Sequence, residues 1–274
     1  MTHLERQVAA HYTPETLEQK ILSALQAAGK RPEHLRTDDL AVLDEFHVGG
    51  REATQALADF MDLRAGMHLL DVGCGIGGPA RYFAEHSCRV TGVDLSEEFI
   101  RVAKSLTRKV GLDQSATFYR TSALELPFDS NTFDGAYEIH VGMNIADKTG
   151  VFKEVARVLK KNGRFAIFDI MRTAEGALSF PLPWAVNGET SFVATPEEYG
   201  ESLRAAGFKI NHERGRRQFA LDFMQRMMSL GASEKPILGL HLLMGEKTGQ
   251  LLQNVMAAIA SGVLEPTEIV AIKE

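Results

Sequence analysis

Cysteine, tryptophan and long hydrophobic runs are scarce in this chain of 274 residues. The two cysteines, Cys74 and Cys88, form no disulfide framework and indicate a reducing compartment. No run of about 18 apolar residues predicts a spanning helix, and the first residues lack the apolar segment of a signal peptide. A net charge of −6 leaves no basic footprint for nucleic acid. We therefore expect a cytoplasmic protein that binds neither nucleic acid nor membrane.

Residues 69–79 are the stretch around which the sequence is organised, because an apolar run ends there in Asp71 and a glycine-rich turn follows. This pattern predicts a buried parallel strand that leads through a tight turn into a helix. Gly73, Gly75 and Gly77 allow the backbone to approach a ligand closely. Gly73, Gly75 and Gly78 also satisfy the dinucleotide-binding pattern G-x-G-x-x-G, which is a weak signal alone, and a turn without any ligand is the other alternative. Asp71 favours a ligand that carries an amine or ammonium group, because a carboxylate there would crowd a pyrophosphate.

Strands and helices alternate through the middle of the chain. Strands are predicted at 67–73, 89–93, 116–119, 133–139 and 164–170, and helices at 79–85, 97–110 and 149–160. A helix that opens at Thr195 and a strand at about 208–213 follow. The alternation predicts an α/β fold, with a parallel sheet covered by helices on both faces and a ligand at the carboxyl ends of the strands.

Two helical segments lie outside this alternation. We interpret residues 1–62 as an N-terminal cap that contains a helix over 11–29 with Thr13 as its N-cap, and residues 216–262 as a helical lid. Residues 63–215 are predicted to form the core, and residues 263–274 its final strand. Both helical segments have apolar faces that must be buried. We expect them to close over the carboxyl edge of the sheet and to define the substrate.

Asp94 ends the second predicted strand, about 20 residues after the glycines, where a carboxylate can accept both hydroxyls of a ribose. The alternative is that Asp94 only caps the helix that begins near Ser96.

Four blocks in order resemble the class I S-adenosylmethionine-dependent methyltransferases, over roughly residues 63–172. They are the Asp-x-Gly-x-Gly-x-Gly pattern from Asp71, the sequence Asp94-Leu95-Ser96, residues 122–128 with Phe133-Asp134, and residues 144–148 with 154–163. The resemblance implies a Rossmann-like, seven-stranded, mostly parallel sheet whose last strand, at about 267–273, is antiparallel between the fifth and sixth. It implies S-adenosylmethionine as cofactor, bound by Asp71, Gly73, Gly75, Gly77, Asp94, Leu95, Ser122, Ala123 and His140.

Ser122 departs from the pattern of that family, in most of whose members an Asp at this place accepts a hydrogen bond from the adenine amino group. A serine hydroxyl accepts such a bond more weakly than a carboxylate.

Three shorter blocks, at residues 46–50, 77–81 and 140–145, resemble a small-molecule branch that includes sarcosine/dimethylglycine and phosphoethanolamine methyltransferases. The acceptor is therefore expected to be a small molecule, methylated on an amine nitrogen or a hydroxyl. Related sugar O-methyltransferases have a histidine pair where Met143 and Asn144 stand here, which disfavours an obligatory histidine-based O-methylation.

Methyl transfer is an in-line displacement that depends mainly on positioning, and it needs a base only if the acceptor arrives protonated. Candidate bases are His47, His140 and Asp169, although each could instead have a structural role. Substrate contacts are predicted for His47, Asn144, Trp184 and Met228. Trp184 offers a face for a cationic amine, and loop packing is its alternative. Met228 belongs to a methionine group that forms either a pocket wall or plain core.

No metal site is predicted, and a homodimer is compatible with the sequence. Two other functions are weighed against methyl transfer. An NAD(P)-dependent oxidoreductase is favoured by the glycine pattern and opposed by Asp71. A non-catalytic protein that only binds S-adenosylmethionine is suggested by Ser122 alone.

Overall fold

One seven-stranded sheet organises the chain in the computed structural model, which describes residues 2–11, 17–230 and 237–274. The strands are β1 (His68–Val72), β2 (Arg89–Asp94), β3 (Ala116–Arg120), β4 (Phe133–Ile139), β5 (Leu159–Arg172), β6 (Phe208–Gly215) and β7 (Leu264–Lys273). Their order across the sheet is β3-β2-β1-β4-β5-β7-β6. β7 runs antiparallel to both β5 and β6, and the pairs among β1 to β5 are parallel. The predicted Rossmann-like sheet and the antiparallel position of its last strand are confirmed.

The helices surround this sheet. They are α1 (His3–His11), α2 (Leu17–Ala27), α3 (Thr37–Asp44), α4 (Gly50–Asp59), α5 (Gly78–Glu85), α6 (Glu97–Lys109), α7 (Lys148–Val158), α8 (Pro196–Ala205), α9 (Arg217–Leu230), α10 (His241–Met244) and α11 (Thr248–Ala260). Local sequence sets several of these starts. The Ser96 hydroxyl accepts from the Phe99 N–H at the start of α6, and Thr195 and Glu198 form a capping box at the start of α8.

The hydrophobic core lies on both faces of the sheet. On one face α4, α5 and α6 pack over a cluster that includes Phe83, Tyr137 and Phe168. On the other face α7 and α8 pack over a cluster that includes Phe152 and Tyr199. Because both faces are covered, the carboxyl ends of the parallel strands are the part of the core left for a ligand.

The N-terminal segment contains a helix that the sequence did not predict, α1, which ends at His11. The helix predicted over 11–29 is present as α2 from Leu17 to Ala27, and its predicted cap Thr13 lies outside the described residues. Leu17 and Leu25 are fully buried, so the predicted apolar face of α2 is confirmed. Among residues 2–11, 17–230 and 237–274, no helix combines the length and hydropathy needed to cross a membrane.

Two further boundaries differ. The helix predicted over 149–160 ends as α7 at Val158, because the chain enters β5 already at Leu159 and not at residue 164. Asn162 lies inside β5 and has a left-handed φ of 63°. The division into a cap (1–62), core (63–215), lid (216–262) and final strand (263–274) stays a prediction.

Candidate active site

The glycine-rich turn after β1 is closed on one side and open on the other. Gly73 has φ +73°, and a Cβ there would lie 2.4 Å from Val141 Cγ2. Gly75 has φ +52°, and a Cβ there would meet no atom within 4 Å. Gly77 is the N-cap residue of α5. The turn is therefore pressed against the residues that follow β4, and its open side at Gly75 has room for a ligand.

Asp71 lies within β1 below this turn and is almost fully buried. Its Oδ2 atom has no partner in hydrogen-bond geometry among the described residues. Burial raises the pKa of Asp71 to about 8, against a smaller opposing effect of the nearby Tyr137 hydroxyl. An unpaired buried carboxyl oxygen is costly, so this site fits a ligand that brings a hydrogen-bond donor, such as an amine.

Asp94, at the end of β2, holds the turn and also caps the next helix. Its Oδ2 accepts from the Gly75 N–H at 3.0 Å and its Oδ1 from the Ser96 N–H at 2.8 Å. Each carboxylate oxygen has a second lone pair, so both hydroxyls of a ribose could still be accepted. Leu95 follows, and its carbonyl oxygen accepts from Arg120. The capping role and the predicted ribose contact are thus compatible.

Ser122 and Ala123 follow β3, the next strand along the same edge. The Ser122 hydroxyl donates to the Glu5 carboxylate of α1 and accepts from the Leu124 N–H at 3.1 Å. Ala123 is partly buried against the core. No pattern in the sequence predicted the contact with Glu5.

His47 and His140 come together where β4 and β5 end, with 5.8 Å between the centroids of their rings. His140 follows β4 with a left-handed φ of 54°, and its N–H donates to the Phe168 carbonyl at 2.8 Å. His47 Nε2 lies 2.9 Å from the Gly50 carbonyl oxygen. A carbonyl can only accept, so Nε2 carries the proton of His47 and Nδ1 is left unprotonated.

Both histidines are neutral near pH 7. Burial lowers the pKa of His47 to about 4 and that of His140 well below its ordinary value. The Nε2 atom of His140 is buried and has no hydrogen-bond partner among the described residues. The pair therefore presents neutral imidazole nitrogens beside the glycine turn, which Val141 contacts directly.

Glu45 positions His47 from within the N-terminal segment. Its Oε2 atom accepts from Thr54 at 2.7 Å and lies 3.6 Å from His47 Nε2. Its Oε1 atom accepts from Arg51 Nε at 2.5 Å. This buried network was not predicted, because its members are ordinary helix and loop residues in the sequence.

Asp169 is not brought together with the two histidines. It is fully buried, and its carboxylate accepts from the Ile170 N–H at 2.9 Å and the Tyr199 hydroxyl at 2.6 Å. Neighbouring residues of a strand point to opposite faces, and Phe168 is the neighbour that contacts the histidine rings. The backbone contact matches the structural alternative, and the catalytic role of Asp169 stays a prediction that the geometry does not favour.

Glu138 is a second buried carboxyl beside Asp169, and sequence reasoning missed it. Burial and then the charge of Asp169 raise the pKa of Glu138 to about 8, while Lys148 opposes them. A Cβ added at Gly142 would lie 2.9 Å from Glu138 Oε1 and 2.4 Å from Asp169 Oδ2. The one signal available was a carboxylate between Tyr137 and Ile139 near the end of a predicted buried strand.

Asn144 and Trp184 form a packing contact. Asn144 Nδ2 donates to the Trp184 carbonyl at 2.9 Å, and the indole N–H donates to the Ser191 hydroxyl at 2.9 Å. Only 3% of Trp184 is exposed, within a core cluster below α9 and α11. The loop-packing alternative describes this arrangement, and substrate contacts by both residues stay predictions. The side chain of Met228 lies outside the part of the chain that the structure describes.

The N-terminal segment and the 216–262 segment touch beside His47. A Cβ at Gly49 would lie 2.4 Å from Phe219 Cε1, and Arg226 donates to Glu52 at 2.8 Å. This contact supports the expected roof over the strand ends, which stays a prediction.

A buried ion pair ties the N-terminal segment to the glycine turn. Arg81 of α5 donates to Asp44 Oδ2 at 2.6 Å and to the Ile76 carbonyl at 2.8 Å. A third bond reaches the Thr107 hydroxyl at 2.9 Å. The end of α3 is therefore held against the glycine-rich turn.

The residues of this edge fit the cofactor implied by the sequence. The unpaired Asp71 oxygen suits its ammonium group, the open space at Gly75 suits close approach, and Asp94 keeps lone pairs for its ribose. Within the described ranges, no cluster of three His, Cys, Asp or Glu side chains suited to a metal ion occurs.

Comparison with known proteins agrees with this interpretation of the site. Residues 70–167 match the methyltransferase domain family. The chain is 39% identical over 165 residues to cycloartenol-C-24-methyltransferase of Arabidopsis thaliana, covering 58% of this chain and 49% of that protein. It spans no more than half the length of the curated relatives it matches.

Solved structures share the fold along the whole chain. Geranyl diphosphate C-methyltransferase of Streptomyces coelicolor has a TM-score of 0.73 at 20% identity, over 100% of this chain and 98% of that one. Phosphoethanolamine N-methyltransferase 2 of Haemonchus contortus, solved with S-adenosylmethionine, has a TM-score of 0.75 at 19% identity, over 100% of this chain and 60% of that one. Residues 70–167 are thus a methyltransferase domain of the class I, S-adenosylmethionine-dependent family.

Proposed function

We propose that this chain transfers the methyl group of S-adenosylmethionine to a small-molecule acceptor, on an amine nitrogen or a hydroxyl oxygen. The observation that carries the proposal is the pair of neutral imidazoles beside the glycine turn, the buried His47 and the partly buried His140. The cofactor supplies an electrophilic methyl group when bound. The glycine turn, Asp71 and Asp94 hold and orient it.

The histidine pair can accept the proton that the acceptor atom loses on methylation. A hydroxyl oxygen that gains a methyl group becomes strongly acidic as the new bond forms, so even a weakly basic neutral imidazole can accept its proton. The unpartnered Nε2 of His140 is the atom we assign to this role. An amine nitrogen attacks in its neutral form, and the ammonium product can keep its proton. Glu45 and the Gly50 carbonyl keep His47 in one tautomer beside His140.

A second candidate is methylation of an alkene carbon. Relatives named for sterol and geranyl diphosphate C-methylation suggest it, and the Phe168 ring lies 5.1 Å from the His140 ring between centroids. Methyl transfer to a double bond leaves positive charge on carbon, which an aromatic face stabilises. His140 would then take a proton from the adjacent carbon.

The test is incubation of the purified chain with methyl-deuterated S-adenosylmethionine and panels of amines, hydroxyl compounds and terpenoid alkenes, followed by mass spectrometry. A product heavier by one deuterated methyl group identifies the acceptor class. If S-adenosylhomocysteine binds and no panel yields a product, the non-catalytic binding protein is favoured. A preference for NAD in calorimetry would contradict the proposal. A homodimer and a cytoplasmic location stay predictions.

A further inference from the structure

The order of the strands predicts where the cofactor's base lies. β1, β2 and β3 are successive neighbours in the sheet, and their carboxyl ends carry the glycine turn, Asp94 and Ser122 in that order. A nucleoside whose ribose is held by Asp94 at the end of β2 therefore places its base beside Ser122 at the end of β3. This step rests on the proposed cofactor contacts.

The Ser122 hydroxyl has a fixed direction. A hydroxyl has one proton to donate and two lone pairs to accept with. The proton of Ser122 goes to the Glu5 carboxylate, and one lone pair accepts from the Leu124 N–H. What the hydroxyl keeps for a ligand is one lone pair, so it can accept from a base but not donate to it.

Glu5 is held in place by its own helix. Its Oε2 atom accepts from the Thr2 N–H at 2.5 Å while Oε1 accepts from Ser122. Although burial raises the pKa of Glu5, the hydrogen bonds from Ser122 and Thr2 lower it overall. The carboxylate is therefore ionised near pH 7, and a charged acceptor holds the hydroxyl proton more firmly than a neutral one.

We propose that Glu5 of α1 is a specificity-determining residue for the cofactor, because its contact with Ser122 makes this position a pure acceptor that selects the amino group of adenine. A base with a carbonyl oxygen at the same place would bring a second acceptor and leave both unpaired. Without Glu5 the hydroxyl can rotate and donate to that oxygen. The N-terminal helix thus supplies the charge that Ser122 lacks.

Calorimetry with two ligands tests this assignment. S-adenosylhomocysteine carries the amino group, and S-inosylhomocysteine carries a carbonyl oxygen in its place. The wild-type chain should prefer the first by about 10-fold or more, since the second would leave two facing acceptors without a donor. In Glu5→Ala this preference should fall below about threefold. Glu5→Ala combined with Ser122→Asp should restore it, because a carboxylate then accepts directly.

Glu18→Ala is the matched control. Glu18 lies on α2, and its carboxylate accepts from the Ser105 hydroxyl and from Arg101, at a site that holds α2 against α6. The control removes the same charge from the N-terminal segment and should leave the preference unchanged. If Glu5→Ala weakens the binding of both ligands equally and keeps the wild-type ratio, Glu5 only packs α1. That result would overturn this inference but not the proposed function. A wild type that does not bind S-adenosylhomocysteine would overturn the proposed function as well.

Discussion

Alanine substitutions at Gly73 and Gly75 should separate folding from ligand binding. Both glycines have left-handed φ values, +73° and +52°. Each substitution therefore pays a similar conformational cost, about 1–2 kcal/mol of unfolding free energy. The two sites differ in what the new methyl group meets, and this difference is the basis of the prediction.

At Gly73 the methyl group would lie 2.4 Å from Val141 Cγ2. Overpacking of this kind costs about 1–3 kcal/mol, so Gly73→Ala should lose about 2–5 kcal/mol of unfolding free energy in all. At Gly75 the methyl group meets no protein atom within 4 Å, so Gly75→Ala should lose only the conformational part. Its methyl group would instead occupy the space assigned to the cofactor.

Urea denaturation and calorimetry with S-adenosylhomocysteine measure the two effects. We expect Gly75→Ala to be the more stable variant and yet to bind the ligand about 10-fold or more weakly than the wild type, because contact with the ligand costs about 1–3 kcal/mol. Wild-type affinity in Gly75→Ala would refute the assignment of this open side to the cofactor. Equal stability of the two variants would refute the contact with Val141.

Three further outcomes are expected. Asp94→Ala should weaken binding of S-adenosylhomocysteine by about 1.5–3 kcal/mol in calorimetry, because it removes a charged acceptor from two hydroxyls; unchanged affinity would leave only its capping role. His140→Ala should lower the rate at which S-adenosylhomocysteine is formed in the presence of an acceptor by about 10²–10⁴-fold, while the variant stays folded and unfolds cooperatively. Full turnover by this variant would show that His140 is not the base. The pKa of Glu138 is raised to about 8 in the folded protein. The stability that its neutral carboxyl contributes is therefore fully present below the pKa of the unfolded chain, and it is lost as the pH rises through 8. The unfolding free energy of Glu138→Gln, relative to that of the wild type, should therefore rise by about 2–4 kcal/mol as the pH is raised from 5 to 9. A difference that does not change with pH would contradict the raised pKa of Glu138.

Strong local patterns predicted the core of the fold. The bounds of β4, Phe133–Ile139, were predicted to the residue, and Ser96 caps α6 as expected. The errors lie where the local signal is weak. α1 is short and polar, so nothing in its sequence distinguished it from a loop, and the early start of β5 depends on its pairing with Phe133 across the sheet.

Contacts between distant residues explain what the sequence missed in the site. Glu5 and Ser122 are 117 positions apart, and Arg81 and Asp44 are 37 apart. A local sequence pattern cannot predict contacts between residues so far apart in the chain. The approach of His47 to His140 depends on how the N-terminal segment packs on the sheet edge, which no local pattern gives. The rule that strand ends meet at one edge places Asp169 near that edge, but it does not give the direction in which the Asp169 side chain points.

The buried pair of Arg81 and Asp44 limits how this domain can be recombined. An N-terminal segment taken from another protein and joined to this core would leave the Arg81 guanidinium in a site with no exposure unless it brought a carboxylate to the position of Asp44. An unmatched buried charge costs about 3–5 kcal/mol, a large part of the stability of a domain. Chimeras made to change the acceptor should therefore exchange the segment and this ion pair together.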